Sequence, residues 1–212
     1  MAAPCKKMGV LELNNTITKA RRLIKVRMDS LEKDVKYCIL DNEGQKNWPA
    51  PFPALLYCFS TIDLMGALYW KCTLTDSKQK NNCENNVDSG VTNKSLNYMT
   101  DFMKYPDLEA NLIQKVFRHK LVHLAQPMPI AQYDKKKYAW RYIHNDRNAH
   151  LRILSQTSSD INHFQISIWS LVEDIVESAL GPNGYIEQLS KDTSEGLALR
   201  ESFKKAYVKF CE

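Results

Sequence analysis

Apolar residues recur at intervals of three and four along most of this chain, and that spacing commits the backbone to helices. From about Asn14 to Leu40, Ile17, Ala20, Ile24, Leu31, Val35 and Cys38 form one stripe, with Arg21, Arg22, Lys25, Glu32 and Lys33 between them. A 3.6-residue turn gathers such positions on one side, so the segment predicts a long amphipathic helix. Asp41-Asn42-Glu43-Gly44 and the proline-rich Trp48-Pro49-Ala50-Pro51-Phe52-Pro53 interrupt it, because proline has no backbone donor and cannot continue a helix. Pro53 suits the first turn of a second helix, whose face carries Leu55, Leu56, Phe59, Ile62, Gly66, Tyr69 and Trp70. Asp63 lies close to that face, and a carboxylate there needs a partner.

Residues 74–97 are rich in Asn, Ser and Asp, whose side chains compete with helix hydrogen bonds, and predict a long polar loop. Helical spacing returns from about Ser95 to Met103, breaks at Pro106, and resumes through Leu108, Leu112, Ile113, Val116, Phe117, Leu121 and Leu124 until Pro127 and Pro129 end it. Over 137–154 the period changes to two: Tyr138, Trp140 and Tyr142 alternate with Ala139 and Arg141, and His150 and Arg152 alternate with Leu151 and Ile153 beyond Asn145-Asp146. This predicts an inserted β-hairpin. Ser158-Ser159-Asp160 offers cap oxygens for a helix through Ile161, Phe164, Ile168, Leu171, Val172, Ile175, Val176 and Ala179, stopped by Gly181-Pro182. Shorter helices over 185–191 and 195–210 complete the chain. The expected fold is all-α: a single domain over 1–212, an up-and-down bundle of about four main helices with the hairpin packed outside.

Charge and cysteine usage narrow the functional classes. Lysine and arginine number 29 against 24 acidic residues, a net charge of +5, which is compatible with a polyanionic partner. No run of about eighteen apolar residues is apparent and Met1 to Val10 lacks the apolar core of a secretion signal, so a cytoplasmic protein without a membrane partner is expected. Cys5, Cys38, Cys58, Cys72, Cys83 and Cys211 are scattered without a C-x-x-C pair, which fits reduced thiols better than disulfides or cysteine-held zinc. Glycine-rich phosphate loops and nicotinamide-binding fingerprints are absent from the sequence. No cofactor is expected.

The segment Arg118-His119-Lys120-Leu121-Val122-His123 concentrates the chemistry. At about 100° per residue His119 and His123 share a helix face, continuing the row Leu112, Val116, while Arg118 lies about 140° from His123 and converges with it only through its length, a helix end or a second subunit. A guanidinium fork and imidazoles near their neutral point suit a phosphate. The plainer reading has both histidines bonded to backbone or to Asp63 and Arg118 in a surface ion pair.

Arg, a polar residue, three further residues and His resembles the motif of the HEPN superfamily, the "higher eukaryote and prokaryote nucleotide-binding" domains. The preceding apolar run Ile62-Asp63-Leu64-Met65-Gly66-Ala67-Leu68-Tyr69 is similar to the second helix of some members. The resemblance covers about Ala54 to Gln126 and the helix after Ile161. It implies a bundle that dimerises with two motifs face to face and, in active members, cuts RNA without metal, leaving a 2′,3′-cyclic phosphate. His123 would then be general acid or base, Arg118 would stabilise charge on the phosphoryl oxygens, His119 would orient the phosphate, and Asp63 would support them. A role in defence or as a toxin with an antitoxin partner comes by the same analogy. Some toxin members carry a tyrosine two residues after the histidine; here that residue is Ala125. The alternative is a non-catalytic helical module binding RNA, nucleotide or protein.

Lys120, Lys136, Lys137 and Arg141 are the candidate RNA contacts, the last three interleaved with Tyr133, Tyr138, Trp140 and Tyr142 on which bases could stack. A hairpin with one aromatic side on the bundle and a charged edge explains the same pattern. His144, Arg147, His150 and Arg152 read as a solvated hairpin surface, and a metal held by His123, His144 and His150 is the minor alternative.

Overall fold

Helix α1 (Val10–Ile39) buries Ala20, Ile24, Met28, Leu31, Val35 and Ile39, the three-and-four spacing seen in the sequence. The structure is a computed structural model that describes residues 10–39, 50–69, 91–118, 130–155 and 160–211, with the backbone alone at 10–14, 91–92, 116–118 and 209–211. Helix α2 (Pro51–Tyr69) begins two residues before the expected Pro53, and the Ala50 amide donates to the Cys38 carbonyl at 2.8 Å, tying its start to the end of α1. Its nineteen residues are long and apolar enough to cross a membrane. The apolar character is explained by packing: α2 touches α1 and three later helices, so more than one of its sides is buried.

Helix α3 (Val91–Asp101) starts inside the segment expected as loop, and residues 74–90 of that loop lie outside the described residues. It crosses α2 at Gly66, where an added Cβ would stand 2.8 Å from the Lys94 carbonyl carbon and oxygen and from the Ser95 nitrogen. Glycine permits this backbone approach. Helix α4 (Asp107–Leu112) follows Pro106 and runs into a π-helical turn, Ile113–Arg118. Regular angular spacing ends at Ile113, so the expected row from Leu112 through Val116 does not extend as drawn.

The all-α expectation fails at the sheet. Four strands, β1 (Ile130–Tyr133), β2 (Lys136–Ile143), β3 (Arg152–Ser155) and β4 (Ile161–Ser167), form a mixed sheet of order β1-β2-β4-β3. The predicted hairpin over 137–154 does not exist as such, since β2 and β3 are separated by β4, which runs parallel to β2 and antiparallel to β3. A two-residue turn would have forced β2 and β3 together; residues 144–151, including the 3-10 turn Arg147–Ala149, instead span the width of one intervening strand. The real hairpin is β1–β2, closed by Asp134 and Lys135 with φ of 46° and 61°, the paired left-handed conformation of a type I′ turn.

Strand β4 occupies what the sequence suggested was the start of a helix. Ile161, Phe164 and Ile168 fit a helical period, but the segment is a strand between two others, buried without a break from Phe164 to Ser167, which hides the alternation that would mark it as a strand. The helix α5 (Ile168–Leu180) begins at Ser167, whose Oγ accepts from the Ser170 amide at 3.4 Å. The short α6 (Tyr185–Ser190) and α7 (Ser194–Cys211) close the chain. Arg200 of α7 is buried and its Nη1 donates to the carbonyls of Leu189 and Lys191 at 2.8 and 3.0 Å, satisfying the end of α6. The architecture is therefore α+β: a helical layer centred on α2, joined through β4 and α5 to a four-stranded mixed sheet.

Candidate functional site

Side chains alternate across a strand, so each strand of the sheet contributes one set to the helices and one to the opposite face. Toward the helices go Ala131, Tyr138, Phe164, Ile166 and Ile153. Trp140 and Tyr142 share that side, stacked on one another with centroids 5.9 Å apart and each edge-on to Phe52 of α2 at 5.9 and 6.2 Å. The aromatics are thus committed to the bundle, and of the expected cations Lys137 and Arg141 fall on the other face while Lys136, at the start of β2, stays on theirs.

The opposite face carries the cations. Register aligns Arg141 of β2, Gln165 of β4 and Arg152 of β3 in one cross-strand row. The neighbouring row is Ile130, Ala139, His163 and Leu154. Beyond it stand Gln132 and Lys137 with Ile161. Gln132, Lys137, Arg141 and Arg152 are exposed, as is Ile130 at 46%. Among the described residues these rows contain no carboxylate, and none of the three cations has an ion-pair partner. Strand spacing puts the Arg141 and Arg152 backbones about 10 Å apart, with Lys137 about 13 Å along β2 from Arg141. His163 Nδ1 is buried without a hydrogen-bond partner among the described residues.

Strand β3 is short and, among the described residues, paired on one side only, so its placement depends on what precedes it. His150 and Leu151 lead into it, and Leu151 has φ 58°. The His150 ring is nearly buried, with 4% of the side chain exposed. Its Nδ1 accepts from the Ser167 amide at 3.2 Å, which leaves the proton on Nε2. Nε2 lies 3.0 Å from the Tyr105 hydroxyl and 3.2 Å from Asp174 Oδ2, and Tyr105 in turn donates to Oδ2 at 2.7 Å. Arg147 donates to Asp174 Oδ1 and, at 2.7 Å, to Glu173. Burial pushes the Asp174 carboxyl up, but hydrogen bonds from His150, Tyr105 and Arg147 outweigh it and hold the group below the usual carboxylate range. Burial, followed by the adjacent Asp174 carboxylate, pushes the Tyr105 phenol well up. Tyr105 therefore acts as a neutral donor.

The sequence-derived candidates fare differently. Arg118 ends the π-helical turn with its side chain outside the described residues, where His119, Lys120 and His123 also lie. Asp63 accepts from the Ser95 hydroxyl of α3, a partner on a neighbouring helix. Lys137 and Arg141 come together on the open face, whereas Lys136 falls at the β1–β2 turn in register with Tyr133. The solvated hairpin surface is corrected at His150, both of whose ring nitrogens are engaged, and at Arg147, an anchor for Asp174. His144 stacks on Tyr142. Arg152, Gln165 and His163 were not singled out as ligand contacts, because only the pairing of β4 between β2 and β3 joins them to Arg141. No protein-family model, curated protein or solved structure matches this chain.

Proposed function

We propose that the protein binds single-stranded RNA across the open face of its sheet. The observation that carries this reading is the row Arg141, Gln165, Arg152, with Lys137 beyond it, in strand rows whose described residues include no carboxylate. Guanidinium groups pair with phosphate in a planar fork and also stack on unpaired bases, so two arginines can serve backbone and base where aromatic rings are turned away. A flexible single strand can follow such a face without the groove geometry that a duplex imposes. Anisotropy of a labelled oligouridylate tests it: the intact chain binds at low salt and Arg141→Glu combined with Arg152→Glu does not. Equal binding by both proteins would overturn it.

RNA cleavage is the second reading, favoured by one observation. The π-helical turn that ends in Arg118 packs against β1, with Lys115 Nζ 4.7 Å from the centre of the Tyr133 ring. Chain leading into the Arg118 to His123 segment therefore lies beside the sheet that carries the cations. In this reading Arg118 steadies the phosphoryl oxygens and His123 exchanges the proton, by analogy with the HEPN pattern. Incubation with single-stranded RNA in EDTA decides it. Cleavage that Arg118→Ala and His123→Ala each abolish supports the nuclease, and binding without cleavage leaves the module.

A further inference from the structure

Resting on the RNA-binding reading, we propose that Tyr105, His150 and Asp174 form the positioning element of that face, holding β3 so that Arg152 and Arg141 grip one phosphodiester across Gln165. Three features point to it. First, β3 is a four-residue strand whose only partner among the described residues is β4, and Arg152 is its first residue. Pairing on one side leaves such a strand free to fray from its start. Second, the two residues before Arg152 are held from outside the sheet. Tyr105 reaches in from the connection between α3 and α4, Asp174 from α5, and the Ser167 amide from the end of β4, all onto the His150 ring. Third, the fixed ring is followed by Leu151 at φ 58°, which sets the direction in which the chain enters the strand.

None of these groups lies on the open face itself, so none contacts the ligand. They act through Arg152. Two guanidinium groups about 10 Å apart at the backbone have side chains long enough to meet over one phosphate, but only while the register Arg141, Gln165, Arg152 is kept. Arg147, half exposed and bonded to both Asp174 and Glu173, braces the carboxylate from the solvent side.

The test is the salt dependence of RNA binding by the full chain, read with a labelled oligouridylate. Each phosphate contact on a single strand contributes about 0.7 to the slope of log K against log salt. Tyr105→Phe removes one hydroxyl and no charge, yet it is expected to lower the slope by about the amount that Arg152→Ala does and to weaken binding several-fold. Adding Arg152→Ala to Tyr105→Phe should then cost nothing further. Arg147→Ala gives a second, surface-located variant with the same expected direction. If Arg152→Ala lowers the slope but Tyr105→Phe leaves it unchanged in a protein with unaltered circular dichroism, the positioning role is overturned while RNA binding stands. If the intact chain shows no salt-dependent binding, both proposals fall. Single-stranded DNA and duplex RNA of equal length are run alongside, and tighter binding of either would overturn single-stranded RNA as the ligand.

Discussion

Arg141 and Arg152 rise from the same side of the sheet on opposite flanks of β4, separated by the width of one strand. They lie eleven residues apart in the chain, on strands of opposite direction, and both are register partners of Gln165. A pair that shares one phosphate should not act additively. Arg141→Ala and Arg152→Ala are each expected to weaken RNA binding about tenfold, a change of about 1.4 kcal/mol, and the double variant to lose less than the product. Isothermal titration of the four proteins gives the coupling, and strict additivity would show that the two side chains hold separate phosphates.

Acid should destabilise the protein partly through Asp174. Its carboxyl sits below the ordinary range in the folded chain, because hydrogen bonds from His150, Tyr105 and Arg147 exceed the cost of burial. The contribution is therefore complete above the ordinary carboxylate range and is lost as pH falls through the folded value. Urea midpoints measured from neutral pH downward should drop less steeply for Asp174→Asn than for the natural chain. Parallel curves would remove Asp174 from the acid transition.

Gly66→Ala should separate α2 from α3. The new methyl would meet backbone atoms of Lys94 and Ser95 at 2.8 Å, and backbone cannot rotate aside as a side chain can. Overpacking of this kind costs about 1–3 kcal/mol. A thermal midpoint equal to that of the natural protein would contradict the close crossing.

Lys135→Gly is expected to stabilise the β1–β2 hairpin. Lys135 holds φ 61°, a region that disfavours a side chain, beside Asp134 at φ 46°. Glycine relieves a cost of about 1–2 kcal/mol but loses about 0.5–1 kcal/mol more in freedom on folding, so the net gain is on the order of 1 kcal/mol or less. Chemical unfolding reads the sign directly, and a loss of stability would mean that the turn is not type I′ in solution.

Much of the helical layer was legible because its signals are local. The stripe Ala20, Ile24, Leu31 and Val35, the break at Pro106 and the stop at Gly181 each depend on residues within a turn or two. The strand over Lys136–Ile143 was legible in the alternation of Tyr138, Trp140 and Tyr142. Two readings went astray where local pattern was ambiguous. Ile161, Phe164 and Ile168 satisfy a helix as well as a strand followed by a helix, and Asp134-Lys135 lacks the glycine that usually announces a tight hairpin. His150 and Arg152 were seen to alternate with their neighbours, but nothing nearby in the chain reveals that one is gripped by Tyr105 and Asp174 while the other stays in solvent.

By itself the sequence determined the helices at α1, α2 and the part of α5 after Ser167, that cations cluster around 136–141 and 147–152, and that the Arg118 to His123 segment carries phosphate-suited groups. These follow from periodicity and side-chain chemistry, which are properties of neighbouring residues. Tertiary structure alone decided that β4 enters between β2 and β3, that the aromatics turn inward, and that Arg141 and Arg152 flank Gln165 in one row. Strand pairing joins residues far apart in the chain, and a shift of one position would send every side chain of a strand to the other face.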